Sequence, residues 1–316
     1  MSTPAPFVLV GPTASGKTEA AIPLAIALGA EIVSADSMLV YRGMDVGTAK
    51  PTPEQRAQVP HHVIDVADPS EPFSVARYQA LAGAAMRDVA ARGRPVLLVG
   101  GTGLYVRAAV DGLAFPGTEP RTRALLEAEA AGLGAAALHR RLAGFDPDAA
   151  ARMEPSNERR IVRALEVAAI TGRPFSAFAL DWERYPPEAG TIAGLDVPRP
   201  ILHRRIEARV EGMIEGLLAE TDVLARRGFE RFLTATQAIG YAEAAACLRG
   251  SISREQAAAA TVRRTKALAR RQMAWFRRDP RIRWFPAGED GAAGIVPDVE
   301  RWFRSASRDD RRKVSA

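Results

Sequence analysis

The sequence predicts an α/β protein: a parallel sheet flanked by helices, built around a phosphate-binding loop, with a helical insertion and a helical C-terminal region. Three observations predict it. Short β-branched apolar runs alternate with helical segments through the first third of the chain. A complete G-x-x-x-x-G-K-[ST] motif joins the first strand to the first helix. The alternation then stops near Gly112, and helical texture takes over.

In order, "FVLV" (7–10), "EIVSA" (31–35), "HHVIDV" (61–66) and "PVLLVG" (95–100) read as buried strands bounded by Gly, Pro or Asp. Segments 17–28 and 75–92 read as the helices between them. "FPGTEPR" is a turn-rich link, and 121–172 is helical with no strand signal. Asp146 with Pro147 marks a helix start, Ser156 or Asn157 caps the next helix, and Gly172 ends it. "TIAGLDVPR" (191–199) resumes a strand and leads into a long helix from Arg199. A late strand is expected at "RIRWF" (281–285). The domains expected are therefore a core of 1–112 with 191–304, a helical insertion of 113–190, and a polar, disordered tail of 305–316.

Composition narrows the function classes. A 47% hydrophobic and 25% charged chain has the balance of a soluble globular protein, so an extended disordered or membrane-spanning chain is excluded. No signal peptide or spanning segment is visible, and a cytoplasmic location is the expectation. A single cysteine, Cys247, excludes an internal disulfide and a cysteine-based zinc site. The net charge of +6 favours a polyanionic partner.

The loop itself is Gly11, Pro12, Thr13, Ala14, Ser15, Gly16, Lys17 and Thr18. Its glycines let successive N–H groups turn inward onto phosphate oxygens, Lys17 adds a point charge, and the Thr18 hydroxyl is a ligand for Mg²⁺. Asp36 ends the second strand at the carboxyl edge, where open α/β sheets bind ligands. Two readings of it stay open: a Mg²⁺ or general-base carboxylate, or a helix cap with Ser37. "VGGTGLY" (99–105) reaches the same edge, with Gly100, Gly101 and Gly103 permitting close backbone approach around Thr102, or simply forming a tight turn.

Basic residues concentrate in "VRRTKALARRQMAWFRR" (262–278), where Arg263, Lys266, Arg270 and Arg277 follow helical spacing and Arg264, Arg271 and Arg278 form a neighbouring stripe. RNA phosphates are the reading preferred over a merely solvated face. A second basic turn is "NERRIVR" (157–163). Arg205 and Arg209 share a face, either for one anionic ligand or for pairing with Glu207, Glu211 and Glu215. His61 and His62 are consecutive and point to opposite sides of a strand, which argues against a joint metal site. His139 and His203 lack partners at ligand spacing, and no Ser-His-Asp or Cys-His arrangement is present.

Together "GPTASGKT", "SADSMLVYRGMDVGTAKP", "PHHVIDVADPSEPFSVARY", "PVLLVGGTGLY", "RRIVRALEV", "QAIGY" and "RRQMAWFR" closely resemble the bacterial tRNA dimethylallyltransferases, also called isopentenyl-tRNA transferases. The motifs run in order over nearly the whole chain. The resemblance implies transfer of a dimethylallyl group from dimethylallyl diphosphate to N6 of the adenosine 3′ of the anticodon, in tRNAs reading codons that begin with U. It implies that the loop cradles a departing diphosphate with Mg²⁺, that Asp36 is the general base, and that Thr102 and Arg209 serve the catalytic site, with Arg123 implicated beside it. It assigns contact with the tRNA anticodon stem-loop to Asp36, Ser37, Met38, Leu39, Thr102, Arg123, Arg159, Arg160, Ile161, Val162, Arg163, Gln237, Gly240, Tyr241, Arg270, Arg271, Gln272, Trp275 and Arg277. A monomer is implied as well.

The chain departs from the common pattern at Leu39, where many members carry Gln, at Tyr78, where Phe is usual, and at Ala274, where Thr is usual. The Leu39 change bears on one adenine or anticodon contact. Rival readings are a small-molecule kinase, which leaves the basic helix at 262–278 unexplained, and a transferase prenylating free adenine nucleotide, which needs no RNA-binding parts. An RNA-binding NTPase switch would leave "GGTGLY" and Arg209 without a role.

Overall fold

In the computed structural model, residues 5–182, 184–186, 190–289 and 291–314 are described. The chain divides into two compact units, residues 1–112 with 187–316, and residues 113–186.

The first unit is built on strands β1 (Phe7–Val10), β2 (Glu31–Ser34), β3 (His61–His62), β4 (Val96–Gly100), β5 (Thr191–Asp196) and β6 (Ile282–Pro286). They form one parallel sheet in the order β3-β2-β4-β1-β5-β6. A parallel sheet needs both faces covered, which is why its strands read as continuous apolar runs. Val8, Leu9, Val10, Val33, Leu97 and Leu98 are fully buried. The covering helices are α1 (Lys17–Leu28), α2 (Pro53–Gln58), α3 (Val75–Ala91) and α4 (Gly103–Asp111) before the insertion. After it come α10 (Arg199–Arg226), α11 (Tyr241–Leu248), α12 (Arg254–Phe276) and α13 (Val296–Val314). Because β2, β4, β1 and β5 are adjacent, the segments leaving their carboxyl ends lie side by side.

Residues 113–186 hold α5 (Pro120–Leu133), α6 (Ala135–Phe145), α7 (Pro147–Ala151), α8 (Glu158–Thr171) and α9 (Phe175–Trp182) around their own core of Leu126, Leu138, Leu142, Ile161 and Leu165. Asp146 caps α7 by accepting from Ala149 N at 3.1 Å. Asn157, of the two candidates, caps α8, and Gly172 at φ 65° ends it.

Two expectations need correcting. The strand expected over 61–66 stops at His62, because Val63 and Asp65 take left-handed backbone at φ 62° and 57°. The Asp65 carboxylate is held by Lys50 at 2.5 Å and Arg56 at 2.7 Å, and its N–H donates to Leu39 O, so this stretch braces residues 39–50 instead of extending the sheet. The expected disordered tail is largely helix: α13 runs to Val314, with Val299 and Phe303 buried against the core, and only residues 315–316 lie outside the described residues. Its Arg, Asp, Ala and Lys content is compatible with helix once the first turns are anchored. No described helix is long and apolar enough to cross a membrane.

Candidate active site

The loop after β1 curls through two left-handed residues, Ala14 at φ 62° and Gly16 at φ 87°, and Gly16 passes directly into α1. This turns backbone N–H groups and the positive helix end toward one point. Lys17 Nζ donates to Gly11 O at 2.8 Å and Pro12 O at 2.7 Å, which folds the side chain back over the loop. Burial lowers the Lys17 pKa from its ordinary 10.5 to about 8; Asp36 opposes this and Arg209 adds to it. Ser15 Oγ is buried without a hydrogen-bond partner, and Thr18 makes no side-chain hydrogen bond among the described residues.

Asp36 follows β2. Its Oδ1 accepts from Met38 N at 2.9 Å, a local turn that leaves the other carboxylate oxygen without a partner among the described residues. Next to it, Ser37 N donates to Thr102 Oγ1 at 3.1 Å, and Thr102 N donates to Ala35 O. Gly100 is required here, since a Cβ would collide with the Ala35 backbone. Asp36 and Thr102 are thus fixed to each other across two adjacent strand ends. The cap reading of Asp36 gives way, because no helix begins there.

Arg209, on α10, donates to Thr13 Oγ1 at 3.2 Å. The residue is exposed as a whole, but its head is hemmed in beside the loop, so desolvation lowers its hold on its proton while Asp36 opposes that. Pairing with Glu207, Glu211 or Glu215 is not seen among the described residues: Glu207 is taken by Lys266 at 2.6 Å and Glu215 by Arg254, and Glu211 forms no ion pair there.

α12 joins this edge through Gln272 and Trp275. Gln272 Oε1 accepts from Thr13 N at 2.8 Å, and its Nε2 donates to Gly101 O at 3.0 Å. Trp275, one turn on, packs where a Cβ of Gly103 would stand, and is 39% exposed. Of the cations on α12, Arg264 pairs with Glu243 at 2.5 Å, Lys266 with Glu207, and Arg277 with Asp196 at 3.2 Å. Those acids come from other elements, which is why the helix alone reads as free of them. Arg263, Arg270, Arg271 and Arg278 are exposed and have no acidic partner among the described residues.

The chain was then compared with known proteins. The family model described as IPP transferase matches residues 39–279. The chain belongs to the IPP transferase family. A second model, isopentenyl transferase, matches residues 5–63. The tRNA dimethylallyltransferase of Salinispora tropica is 49% identical, over 95% of this chain and 93% of its own length. That of Kineococcus radiotolerans is 53% identical over 88% of this chain and 90% of its own. Among solved structures, the tRNA isopentenylpyrophosphate transferase of Bacillus halodurans superposes with a TM-score of 0.73 at 38% identity, covering 99% of both chains. A eukaryotic dimethylallyltransferase described as acting on tRNA superposes at 0.77 with 25% identity, over 90% of this chain and 74% of its own.

Of the remaining residues implied by the family resemblance, Met38 and Leu39 are half-buried, and the rest fall into two groups. Exposed are Gln237, Arg270 and Arg271, and in the second unit Arg159 and Arg160. The others are used inside the protein. Ile161 and Val162 are core residues of the second unit, and Arg163 is held by Pro116 O, Gly117 O and Glu166. Arg123 is paired with the same buried Glu166 at 2.5 Å. Tyr241 is fully buried, and its hydroxyl donates to Glu220 Oε1 at 2.6 Å. Gly240 is buried with φ 102°, its N–H donating to Glu243 at 3.1 Å. The side chains of Ile161, Val162 and Tyr241 are buried.

Sequence reasoning missed Glu220. Its Oε2 accepts from Asp45 N at 2.6 Å and Val46 N at 2.9 Å, and its Oε1 from Gly47 N at 3.2 Å. One carboxylate thereby anchors the loop that follows Asp36. No local signal marks it, because its partners lie on another element.

Proposed function

We propose that the protein transfers the dimethylallyl group of dimethylallyl diphosphate to N6 of adenosine-37, in the anticodon stem-loop of tRNAs reading codons that begin with U, and releases diphosphate. The observation that carries this reading is Gln272, which ties the basic helix to both Thr13 of the phosphate loop and Gly101. The anion site and the helix with free arginines are thereby parts of one site, as a reaction between a diphosphate ester and an RNA requires. A kinase for a small molecule has no use for that link. The relatives named tRNA dimethylallyltransferase support the transferase reading over the kinase and free-nucleotide alternatives.

In this reading the allylic C–O bond breaks and its electron pair leaves with the diphosphate. The loop N–H groups, Lys17 and Arg209 receive that charge, in fixed positions that need no rearrangement as it develops. The N6 lone pair forms the new C–N bond. The proton released from N6 passes to the free oxygen of Asp36, which the Ser37–Thr102 contact holds in place. The adenosine must leave its stack to reach this edge. Exposed Arg270, Arg271, Arg159 and Arg160 supply cations for the RNA backbone, and Trp275 offers an exposed ring.

Mg²⁺ fits the site through Thr18, whose hydroxyl is unengaged, and through the diphosphate oxygens. No cluster of three or more His, Cys, Asp or Glu able to hold a metal occurs among the described residues, so the ion's other ligands would come from substrate and water. When bound it neutralises part of the leaving-group charge. The protein acts as a monomer in this reading.

The test is incubation with labelled dimethylallyl diphosphate, Mg²⁺ and unmodified tRNA, without ATP. Label should enter the adenosine beside the anticodon. Label in free AMP, or no transfer with ATP consumed when supplied, would overturn the proposal. Asp36→Ala should abolish transfer while retaining tRNA binding; loss of both would make Asp36 a binding residue.

A further inference from the structure

Arg205 lies one turn before Arg209 on α10, on the same stripe of the helix. Its Nη2 donates to Gly288 O at 2.7 Å, but its Nη1 is buried with no hydrogen-bond partner among the described residues. A cationic N–H withdrawn from water without an acceptor is among the more costly features a protein can carry, and in native structures such a group calls for a reason.

The surroundings supply one. Gly288 leads into Gly291 and Ala292, which press on the start of α1. A Cβ on Gly16 would stand 2.7 Å from Ala292 Cβ, and one on Gly291 would stand 2.7 Å from Glu19 Oε1. Arg205 is therefore tethered to the segment that closes over the phosphate loop's helix end, while Arg209 reaches Thr13 on the loop itself. Among the described residues no acid pairs with Arg205: Glu207 is engaged by Lys266, Glu215 by Arg254 and Glu289 by Arg204.

We infer that Arg205 is a second anion-binding arginine of the phosphate-loop site, whose free Nη1 is completed by an oxygen of the bound diphosphate. With Arg209 it forms a two-armed clamp spaced by one helical turn. The inference rests on the diphosphate reading of the loop and adds to it a residue that binds the ligand. The shared chemistry is a diphosphate group, whether of the allylic donor or of the free product.

The test is calorimetric titration of the full chain with inorganic diphosphate and Mg²⁺, comparing the natural protein with Arg205→Gln, Arg205→Lys and Arg204→Gln. The last variant breaks the pair between Arg204 and Glu289 and loosens the same segment without touching the anion. Arg205→Gln should weaken diphosphate binding tenfold or more, Arg205→Lys should recover part of it, and Arg204→Gln should bind as the natural protein does. Each variant's melting temperature is read alongside; should Arg205→Gln not fold, weaker binding by a folded Arg205→Lys carries the proposal, and unchanged binding by it overturns the proposal. Equal affinity for Arg205→Gln and the natural protein overturns Arg205 alone, as does an equal loss in Arg204→Gln, which would make Arg205 an anchor for the segment. Failure of the natural protein to bind diphosphate overturns the loop reading and Arg205 with it. The same variants assayed for donor KM and for inhibition by free diphosphate separate the two sources: a raised KM alone assigns Arg205 to the ester, and relief of inhibition as well assigns it to both.

Discussion

Replacing Lys17 with arginine should remove a proton uptake that accompanies anion binding. Lys17 is held over the loop by Gly11 O and Pro12 O, and burial lowers its pKa from 10.5 to about 8. Between those two values the unfolded chain holds more protons than the folded one. Stability from this group is therefore at its lowest below pH 8 and rises as the pH climbs from 8 toward 10.5. The cost of keeping it charged at neutral pH is roughly 3 kcal/mol, at 1.36 kcal/mol per pH unit. A bound diphosphate supplies the negative partner that burial removes, and draws the pKa back up. At pH 8 the free protein should thus be about half protonated at Lys17 and the complex fully so, an uptake of about half a proton per ligand that vanishes near pH 6.5. Titration calorimetry in buffers of different ionisation enthalpy measures it. Lys17→Arg, charged at every pH used, serves as the reference that cancels protons taken up by the ligand. Equal uptake by the two proteins at pH 8 would refute the reasoning, and would place the Lys17 pKa near its ordinary value.

Two further outcomes follow from single side chains. Glu220→Ala strands the amides of Asp45, Val46 and Gly47 and the Tyr241 hydroxyl, and should cost about 2–3 kcal/mol in urea unfolding, with Glu220→Gln near half of that; a loss below about 0.5 kcal/mol for the alanine variant would show that water replaces the carboxylate. Tyr78 is fully buried and stacked on Tyr105 at 3.9 Å, with its hydroxyl unpartnered and its pKa pushed well up by burial. Tyr78→Phe should therefore raise the melting temperature, by up to about 1 kcal/mol of stability, and a lowered one would reveal a partner for that hydroxyl.

Much of the site is legible in the sequence where function demands local chemistry. The glycines of the loop, Asp36 at a strand end and Thr102 among glycines are each marked by their immediate neighbours in the sequence. What the sequence conceals is contact made by elements far apart in the chain. The resemblance assigns Gln272 to the RNA, and nothing around it in the sequence points to its partners, Thr13 and Gly101. Glu220 carries no local signal of its three amide partners, and Arg163, part of a basic turn, is held by Glu166 and two carbonyls. The strand at 61–66 fails for a related reason. Its apolar pattern is sound, but the ion pairs of Asp65 with Lys50 and Arg56 outweigh continued pairing with β2. The tail is polar, yet Val299 and Phe303 fasten the helix that carries it.

The order of strands also has a bearing on how the chain matures during synthesis. β1 lies between β4 and β5, so one of its edges finds a partner early and the other only after everything between β4 and β5 has been made. At about 5–20 residues per second, that side of an apolar strand stays open for on the order of ten seconds on the ribosome. Residues 113–186 have a core of their own and can collapse during that interval, without waiting for the sheet to close. The phosphate loop, anchored to the end of β1, takes its final shape only when β5, α10 and α12 have arrived. In the proposed reading, diphosphate can therefore be held only once α12 has been translated.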